Sequence, residues 1–183
     1  MKKILNLVLS LSIISAVCAA VLATVNAVTK DEIAQLKVRA KQNAARMVMP
    51  RSVTEVKPLE EGNDAILAGY AASSPQPIAF AVVGKSTHGY GGDIVLMVGF
   101  SRDLTILSYQ KLEAAETPGL GSNLVSPEFT RQFKGMSAVN DLKVKKDGGE
   151  IAAITSATIT SRAVCEAINN ARDILRRKLP AGK

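Results

Sequence analysis

The feature that most constrains this chain is an uninterrupted apolar stretch near its N-terminus. From Ile4 to Val28 the sequence runs for 25 residues without a charged side chain. A helix rises about 1.5 Å per residue, so a helix of this length exceeds the ~30 Å hydrocarbon core of a bilayer. The stretch therefore predicts one transmembrane helix, and a globular domain has to be built from the residues that follow it.

Two other interpretations of the N-terminus stay open. A secretory signal peptide needs a basic start, which Lys2 and Lys3 would supply, and a cleavage site, for which Val25–Ala27 is suitable. Its apolar region is usually about 7–15 residues, which is shorter than this one. Lipoprotein processing at Cys18 is disfavoured because the residue before it is not small. We predict a retained membrane anchor over residues 1–28.

Positive charges around the anchor give only a weak indication of its orientation. Two lysines precede it, and the basic residues that follow it are Lys30, Lys37, Arg39, Lys41 and Arg46. Counting these charges favours a cytoplasmic location for the following side. Long domains are translocated regardless of charge, however, so the count does not decide the topology.

Composition argues against several functional classes. Cys18 lies in the apolar segment and Cys165 in the last predicted helix, so the two cysteines give no disulfide framework. His88 is the only histidine, which argues against a zinc site or a serine–histidine hydrolase. The net charge of +7 is compatible with nucleic acid or anionic lipid, but the lysines are scattered and aromatic residues make up 4% of the chain. We predict a solvated basic surface and no nucleic-acid partner.

A helix should follow the apolar segment. Thr29 can cap it, and Asp31 and Glu32 lie in its first turn, where the helix dipole favours acidic residues. Pro50 disfavours a helical conformation in the residue before it. The sequence therefore predicts a helical stalk over residues 29–49.

The remaining chain, residues 50–183, predicts one α+β domain. Apolar and β-branched runs bounded by Gly, Pro and Ser predict strands at Ala65–Ala71, Ile78–Gly84, Asp93–Phe100 and Leu104–Gln110. The last two should pair as an antiparallel hairpin. Downstream we predict a short helix, an edge strand, a further strand and an amphipathic helix, at residues 127–134, 142–146, 151–154 and 162–175. Strands interrupted by a few helices indicate a mostly antiparallel twisted sheet with flanking helices.

The junction before the last helix holds a cluster of hydroxyl side chains. Five of the seven residues from Thr155 to Ser161 carry a hydroxyl. Unpaired amides and the helix dipole at such a junction make a seat for phosphate. Local capping of the helix would also explain one or two of the hydroxyls. Spacing alone leaves both interpretations open.

Two motifs in this chain resemble those of a known family. AITSATITSRAV is similar to the flavinylation motif of the FMN-binding domain in the Rnf and Nqr respiratory complexes, whose core reads Ser/Thr-Gly-Ala-Thr/Ser. A second signature of that family, ETPGLG, is present unchanged at Glu116–Gly121. The resemblance runs from about Gly62 to Leu175. The modest length is closer to the G subunit of Rnf than to the longer C subunit of Nqr.

The resemblance implies a covalent attachment site. The four positions of the motif core correspond to Thr155, Ser156, Ala157 and Thr158. In the family, the last hydroxyl of the core is joined to FMN through a phosphoester by a flavin transferase that uses FAD, which points to Thr158. Hydrogen bonds to the phosphate are expected from the hydroxyls of Thr155, Ser156, Thr160 and Ser161. The chain departs from the family at Ser156, usually Gly, and at Ala152, usually Asp.

The second signature is expected near the flavin ring. The predicted cofactor-binding residues on that side are Glu116, Thr117, Gly119, Leu120, Gly121 and Tyr90. The glycines would let the backbone approach a flat ring, and Leu120 and Tyr90 would cover it, although a structural role for Tyr90 is the alternative. Glu116 either bonds the flavin or orients its loop. Lys85 and Arg162 would offset phosphate charge, unless they are merely solvated.

The resemblance implies a membrane-anchored, FMN-carrying electron-transfer subunit of an Rnf-type ferredoxin:NAD oxidoreductase that pumps Na⁺ or H⁺. Its partners would be other membrane subunits of the Rnf complex, the flavin transferase during maturation, and the lipid bilayer. It would be a single-pass protein of the cell (inner) membrane with an extracytoplasmic domain. The flavin does the chemistry, so no catalytic acid or base is assigned. The alternatives are a solitary extracytoplasmic flavin reductase domain and a flavin-free anchored scaffolding module.

Overall fold

The computed structural model describes residues 2–60, 63–72 and 74–179. The chain divides into two compact units, Met1–Ala40 and Lys41–Lys183. The described part of the first unit belongs to helix α1 (Lys2–Val48), which is continuous. This helix is long and apolar enough to cross a membrane, because it contains an 18-residue window with a mean hydropathy of 2.4. The predicted anchor and stalk therefore lie in a single helix.

The second unit is built on a five-stranded antiparallel sheet. Each strand pairs with the next along the chain, in the order β1 (Glu55–Glu60), β2 (Asn63–Tyr70), β3 (Pro77–Gly89), β4 (Gly92–Ser101) and β5 (Ile106–Ala114). The predicted α+β class, the antiparallel sheet and the β4–β5 hairpin are confirmed.

Two strand predictions differ from the structure. β1 was not predicted because it is polar and contains Pro58, a residue that an edge strand tolerates. Leu104, predicted to begin a strand, lies in the turn before β5 with a φ of +62°, in the left-handed region. The turn is therefore longer than the three residues 101–103.

After β5 comes a short helix, α2 (Pro127–Thr130), which ends four residues before the predicted helix at 127–134 does.

The last helix covers one face of the sheet. α3 (Thr158–Lys178) carries the predicted apolar stripe, and its residues Ala163, Val164, Ala167, Ile168, Ala171 and Leu175 are buried. They pack in one cluster with side chains of β3 and β4 that include Phe80, Leu96 and Phe100. Each large apolar side chain buried in this way contributes about 1.5–3 kcal/mol. α3 begins at Thr158, so part of the hydroxyl cluster lies inside its first turn.

The end of α1 packs on the opposite face of the sheet. Ala45 and Val48 are buried against a cluster that includes Met97. A Cβ atom at Gly99 would lie 2.2 Å from the Val48 carbonyl oxygen, so only glycine permits this approach. The last residues of the predicted stalk therefore contribute to the core of the Lys41–Lys183 unit.

The predicted edge strand at 142–146 is wrong. Val144 makes only an isolated parallel bridge with Ile151, and Lys145–Asp147 forms a 3₁₀ turn. Leu142 and Val144 are buried while the lysines between and after them are exposed, which imitates the alternation of a strand. The Asp147 amide donates to the Val144 carbonyl at 2.8 Å, so the backbone turns where a strand would continue. The predicted strand at 151–154 is reduced to the same bridge.

Candidate functional site

The two motifs meet at one cleft. The ETPGLG loop and the beginning of α3 enclose about 450 Å³, a size typical of ligand pockets. Nine of the twelve predicted site residues line this cleft: Tyr90, Glu116, Thr117, Leu120, Gly121, Ser156, Ala157, Thr158 and Thr160. Ile159, which was not predicted, lines it as well.

A second cleft of about 500 Å³ lies beside the first. Leu120 and Ser156 line both, so they form the wall between them. Thr155 and Gly119 line the second cleft rather than the first. The structure therefore separates Thr155 from Thr158, although the two are three residues apart in the sequence.

Glu116 ties three segments together. Its Oε2 accepts a 2.7 Å hydrogen bond from the Thr160 hydroxyl in α3. Its Oε1 accepts a 3.3 Å hydrogen bond from the amide of Gly91, in the β3–β4 turn. Both carboxylate oxygens are thus bonded to protein, which favours the loop-orienting role of Glu116 over a bond to the flavin. The Thr160 hydroxyl is likewise committed to Glu116.

The glycine at position 121 makes room for that carboxylate. A Cβ atom there would lie 2.3 Å from Glu116 Oε2 and 2.8 Å from Thr160 Oγ1. Gly121 is itself buried. The sequence interpretation attributed this glycine to the approach of a ring, but the contact that requires it is the one between Glu116 and Thr160.

Ser161 holds the junction instead of facing a cleft. Its hydroxyl donates to the Ala157 carbonyl at 2.9 Å and accepts from the Ile154 amide at 2.9 Å. Ser161 is fully buried. The expectation that it donates to a phosphate therefore does not match its position. Among the serines and threonines that line the first cleft, Ser156 and Thr158 remain beside Thr117 and Thr160.

The beginning of α3 is suited to an anion. Its N-cap is Ala157, which makes no side-chain capping hydrogen bond in the described structure. The amide of Ser161 donates to the Ala157 carbonyl at 3.0 Å, so the amides from Thr158 to Thr160 precede the intrahelical ladder. Free amides and the positive end of the helix dipole favour a phosphate group at this position. Capping by a hydroxyl, the other interpretation of the cluster, is not what the helix uses.

Ser156 has a φ of +59°, in the left-handed region. An L-residue with a Cβ atom pays about 1–2 kcal/mol for this conformation, whereas glycine adopts it freely. This backbone explains why the resembling family has glycine at the corresponding position. Ser156 lies in the turn between Thr155 and Ala157, and these two neighbours line different clefts.

One lysine lies next to the predicted attachment residue. Lys146 Nζ is 3.5 Å from Thr158 Oγ1. The two basic residues that the sequence suggested have other partners: Arg162 donates two 2.7 Å hydrogen bonds to Asp147, and Lys85 pairs with Asp93 at 2.5 Å. The Arg162 hydrogen bonds and positive charge lower the pKa of the Asp147 carboxyl. Lys146 escaped the sequence analysis because it stands among several lysines.

The residues of the first cleft fit FMN. Hydroxyls, unpaired amides and an ammonium group gather at Thr158, and these are the donors that a phosphate requires. Three large apolar side chains on the same cleft are unusually exposed: Tyr90 by 71%, Ile159 by 48% and Leu120 by 42%. They offer an apolar surface to a flat ring, which would cover them.

Fold and site together define an FMN-binding domain that follows an apolar helix. The FMN-binding domain family matches residues 89–173 of this chain. The chain is 33% identical to the G subunit of the ion-translocating oxidoreductase complex of Methanosarcina acetivorans, over 94% of each chain. It is also 33% identical to the G subunit of the Na⁺-translocating ferredoxin:NAD⁺ oxidoreductase complex of Acetobacterium woodii, over 92% of this chain and 89% of the relative.

The chain therefore belongs to the family formed by the G subunits of the ion-translocating oxidoreductase complexes. The crystal structure of NqrC from Shewanella oneidensis has the same fold, with a TM-score of 0.50 and 21% identity over 70% of this chain and 66% of that one. The resemblance predicted from the two motifs is confirmed, and with it FMN as the cofactor of the domain.

Proposed function

We propose that this chain is the FMN-carrying electron-transfer subunit of an Rnf-type ferredoxin:NAD oxidoreductase, with FMN joined to Thr158 through a phosphoester. The observation that carries the proposal is the position of Thr158. Its side chain lies at the first position of α3, on the cleft that both motifs line, with Lys146 Nζ 3.5 Å from its oxygen. Thr155, the other threonine of the motif core, lines the second cleft, and the Thr160 hydroxyl donates to Glu116.

The attachment is a phosphoryl transfer from FAD. Thr158 Oγ1 attacks the phosphorus next to riboflavin, the P–O–P anhydride bond breaks, AMP leaves, and the hydroxyl proton passes to solvent or to a base of the transferase. No group is oxidised or reduced. The chain contributes the hydroxyl, and the amides at the start of α3 stabilise the anionic product.

Bound FMN would supply reversible electron transfer. Attachment through the phosphate leaves the ring free of covalent bonds. Tyr90, Leu120 and Ile159 would contact the ring and limit its exposure to water. Glu116 would hold the cleft in shape through Thr160 and the Gly91 amide, without taking part in proton transfer.

The family and α1 support a proposal for the location and partners of this chain. The relative from A. woodii is named as Na⁺-translocating, and we propose that this chain serves a complex that pumps Na⁺ or H⁺. α1 runs continuously from Lys2 to Val48, which supports a retained single-pass anchor in the bilayer of the cell (inner) membrane. The other membrane subunits would be permanent partners and the flavin transferase a transient one. We place the domain on the extracytoplasmic side.

Mass spectrometry tests the attachment. The full chain, made in cells with an active flavin transferase, is expected to gain the mass of FMN minus water on the peptide that contains Thr158. Thr158→Ala abolishes the gain, whereas Thr155→Ala leaves it in place because Thr155 lines the other cleft. An unmodified wild-type peptide would overturn the covalent assignment and favour the flavin-free alternative.

The location has its own tests. Ser137 is exposed, so a Ser137→Cys variant is expected to react with a membrane-impermeant maleimide added to intact cells or spheroplasts. The wild-type chain is the control, because Cys165 is buried and Cys18 lies in the apolar helix. Reaction only after lysis would place the domain in the cytoplasm. Co-purification with other membrane subunits separates an Rnf subunit from a solitary reductase.

A further inference from the structure

The 3₁₀ turn Lys145–Asp147 brings one particular lysine to the start of α3. Lys146 Nζ lies 3.5 Å from Thr158 Oγ1, across a separation of 12 residues. Val144 precedes the turn, and its side chain is fully buried in the core, which anchors the turn. It is closed by hydrogen bonds of 2.8 Å and 3.1 Å from the amides of Asp147 and Gly149 to the Val144 carbonyl. The ammonium group is therefore presented from a defined backbone.

A neighbouring ion pair keeps Lys146 available. Asp147 is the carboxylate closest to Lys146 in sequence, but both of its oxygens accept hydrogen bonds of 2.7 Å from Arg162. Within residues 2–60, 63–72 and 74–179, no carboxylate lies within salt-bridge distance of Lys146. The Arg162–Asp147 pair is neutral overall, and the Lys146 ammonium group adds a positive charge 3.5 Å from Thr158 Oγ1.

This charge matches the group expected there. A phosphate that carries two ester bonds retains one ionisable oxygen and therefore one negative charge near neutral pH. One ammonium group and the unpaired amides of the helix start would neutralise and hydrogen-bond that charge. Lysines 143 and 145 extend from the same segment and are exposed, and they make no such contact with Thr158 in the described chain.

We propose that Lys146 is the phosphate-binding residue of this site, which holds the FMN phosphate at Thr158 during and after attachment. This inference rests on the proposed role of Thr158. It gives Lys146 the role of offsetting the phosphate charge, which the sequence analysis had considered for Lys85 and Arg162. Arg162 acts on the phosphate only indirectly, because it withholds Asp147 from Lys146.

The first test follows attachment by intact mass. The full chain, its flavin transferase and FAD are mixed, and the initial rate of FMN transfer is measured. Lys146→Gln is expected to slow transfer by about tenfold to a hundredfold, the usual effect of losing a charge-assisted hydrogen bond. Lys146→Arg keeps the charge and restores most of the rate. Lys145→Gln removes a charge from the same turn and leaves the rate within about twofold of wild type.

The second test does not need the covalent bond. The full chain purified from cells without a transferase is titrated with FMN and with riboflavin, and the ratio of the two affinities measures the contribution of the phosphate. Lys146→Gln is expected to lower this ratio about tenfold, whereas Lys145→Gln leaves it unchanged. A general loss of structure would lower the affinities for FMN and riboflavin equally, so the ratio of the two affinities would not change.

The outcomes separate the two proposals. If wild-type chain binds FMN but is never labelled, covalent attachment fails and the affinity ratio still decides the role of Lys146. If labelling proceeds and neither the rate nor the ratio responds to Lys146→Gln, the assignment of Lys146 is overturned while Thr158 stands. An equal response to Lys145→Gln also overturns it, because the effect would then be a general one of positive charge. Wild-type chain that neither binds nor attaches flavin overturns both.

Discussion

The hydroxyl of Thr160 donates a 2.7 Å hydrogen bond to the carboxylate of Glu116, 44 residues earlier in the chain. This bond joins the two motifs on which the family resemblance was based. One motif supplies the predicted attachment residue and the other supplies the opposite wall of the cleft. Their occurrence together has a structural reason, because each motif positions the other.

The Glu116–Thr160 bond should be measurable as a coupling energy. Thr160→Val and Glu116→Gln are each expected to destabilise the Lys41–Lys183 unit, and their combined effect should fall short of the sum by about 1–3 kcal/mol. Urea denaturation of the wild-type protein, the two single variants and the double variant gives this value. Thr158→Val is the control, because Thr158 does not bond Glu116 in the described structure. Additive effects of Thr160→Val and Glu116→Gln would contradict the interpretation.

Gly121→Ala should disrupt the same contact by steric overlap. Its Cβ would lie 2.3 Å from Glu116 Oε2, so the carboxylate has to move and its hydrogen bonds are lost. We expect a loss of stability of about 2–4 kcal/mol together with reduced FMN loading. Gly119→Ala is matched in size but has open space around the new atom and a φ of +77°, so it should cost only about 1–2 kcal/mol of backbone strain. A loss for Gly121→Ala no larger than that for Gly119→Ala would contradict the steric role of Gly121 beside Glu116.

Ser156→Gly should stabilise the domain. The substitution removes the strain of a left-handed L-residue, partly offset by the greater freedom of glycine in the unfolded chain, for a net gain of about 0.5–1 kcal/mol. Thermal denaturation would detect it. Ser52→Gly is the comparison, because Ser52 is exposed and is not among the described residues with positive φ, so this change should not stabilise. A destabilised Ser156→Gly protein would imply that the hydroxyl itself holds the turn.

Acid should weaken the domain partly through Glu166. The hydrogen bond from Ser86 lowers the pKa of this carboxyl from its ordinary value of 4.5, and His88 lowers it further, against a smaller opposing effect of burial. The folded state therefore gains stability from Glu166 above about pH 4.5, and this gain is lost as the pH falls through the lowered pKa. Ser86→Ala should raise the pKa of Glu166 toward 4.5 and flatten the decline in unfolding free energy below about pH 5.

Carboxyl NMR titration and unfolding at several pH values would measure both effects. Glu166→Gln serves as the reference, because it removes this titration altogether. A Ser86→Ala protein with the same Glu166 pKa as wild type would rule out the hydrogen bond as the main cause.

The end of α1 should be indispensable to the domain. A chain that begins at Lys41 retains Ala45 and Val48 and is expected to fold cooperatively. A chain that begins at Arg51 exposes the apolar sheet face around Met97 and should lose several kcal/mol of stability or aggregate. Circular dichroism and size-exclusion chromatography would separate the two. If the two chains were equally stable, the packing of Ala45 and Val48 on the sheet would not contribute to the stability of the domain.

Much of the fold could be predicted because it rests on local patterns. These patterns are the charge-free run Ile4–Val28, the apolar and β-branched runs of β3 and β4, and the helical spacing of the apolar stripe of α3. The 142–146 segment shows where this fails. Its alternation of apolar and basic residues is that of a strand, but a strand also needs a partner, and the turn at Asp147 takes the backbone away.

The class of protein and the expected attachment residue could be inferred from short motifs of fixed composition, without knowledge of the fold. Which of the five hydroxyl-bearing residues line the first cleft depends on how the chain folds. α3 begins at Thr158, so the helical period turns Thr160 toward Glu116 and buries Ser161. The contact between Lys146 and Thr158 also depends on the fold, because the 3₁₀ turn brings Lys146 to the start of α3. Such contacts join segments that are distant in sequence, and no local period records them.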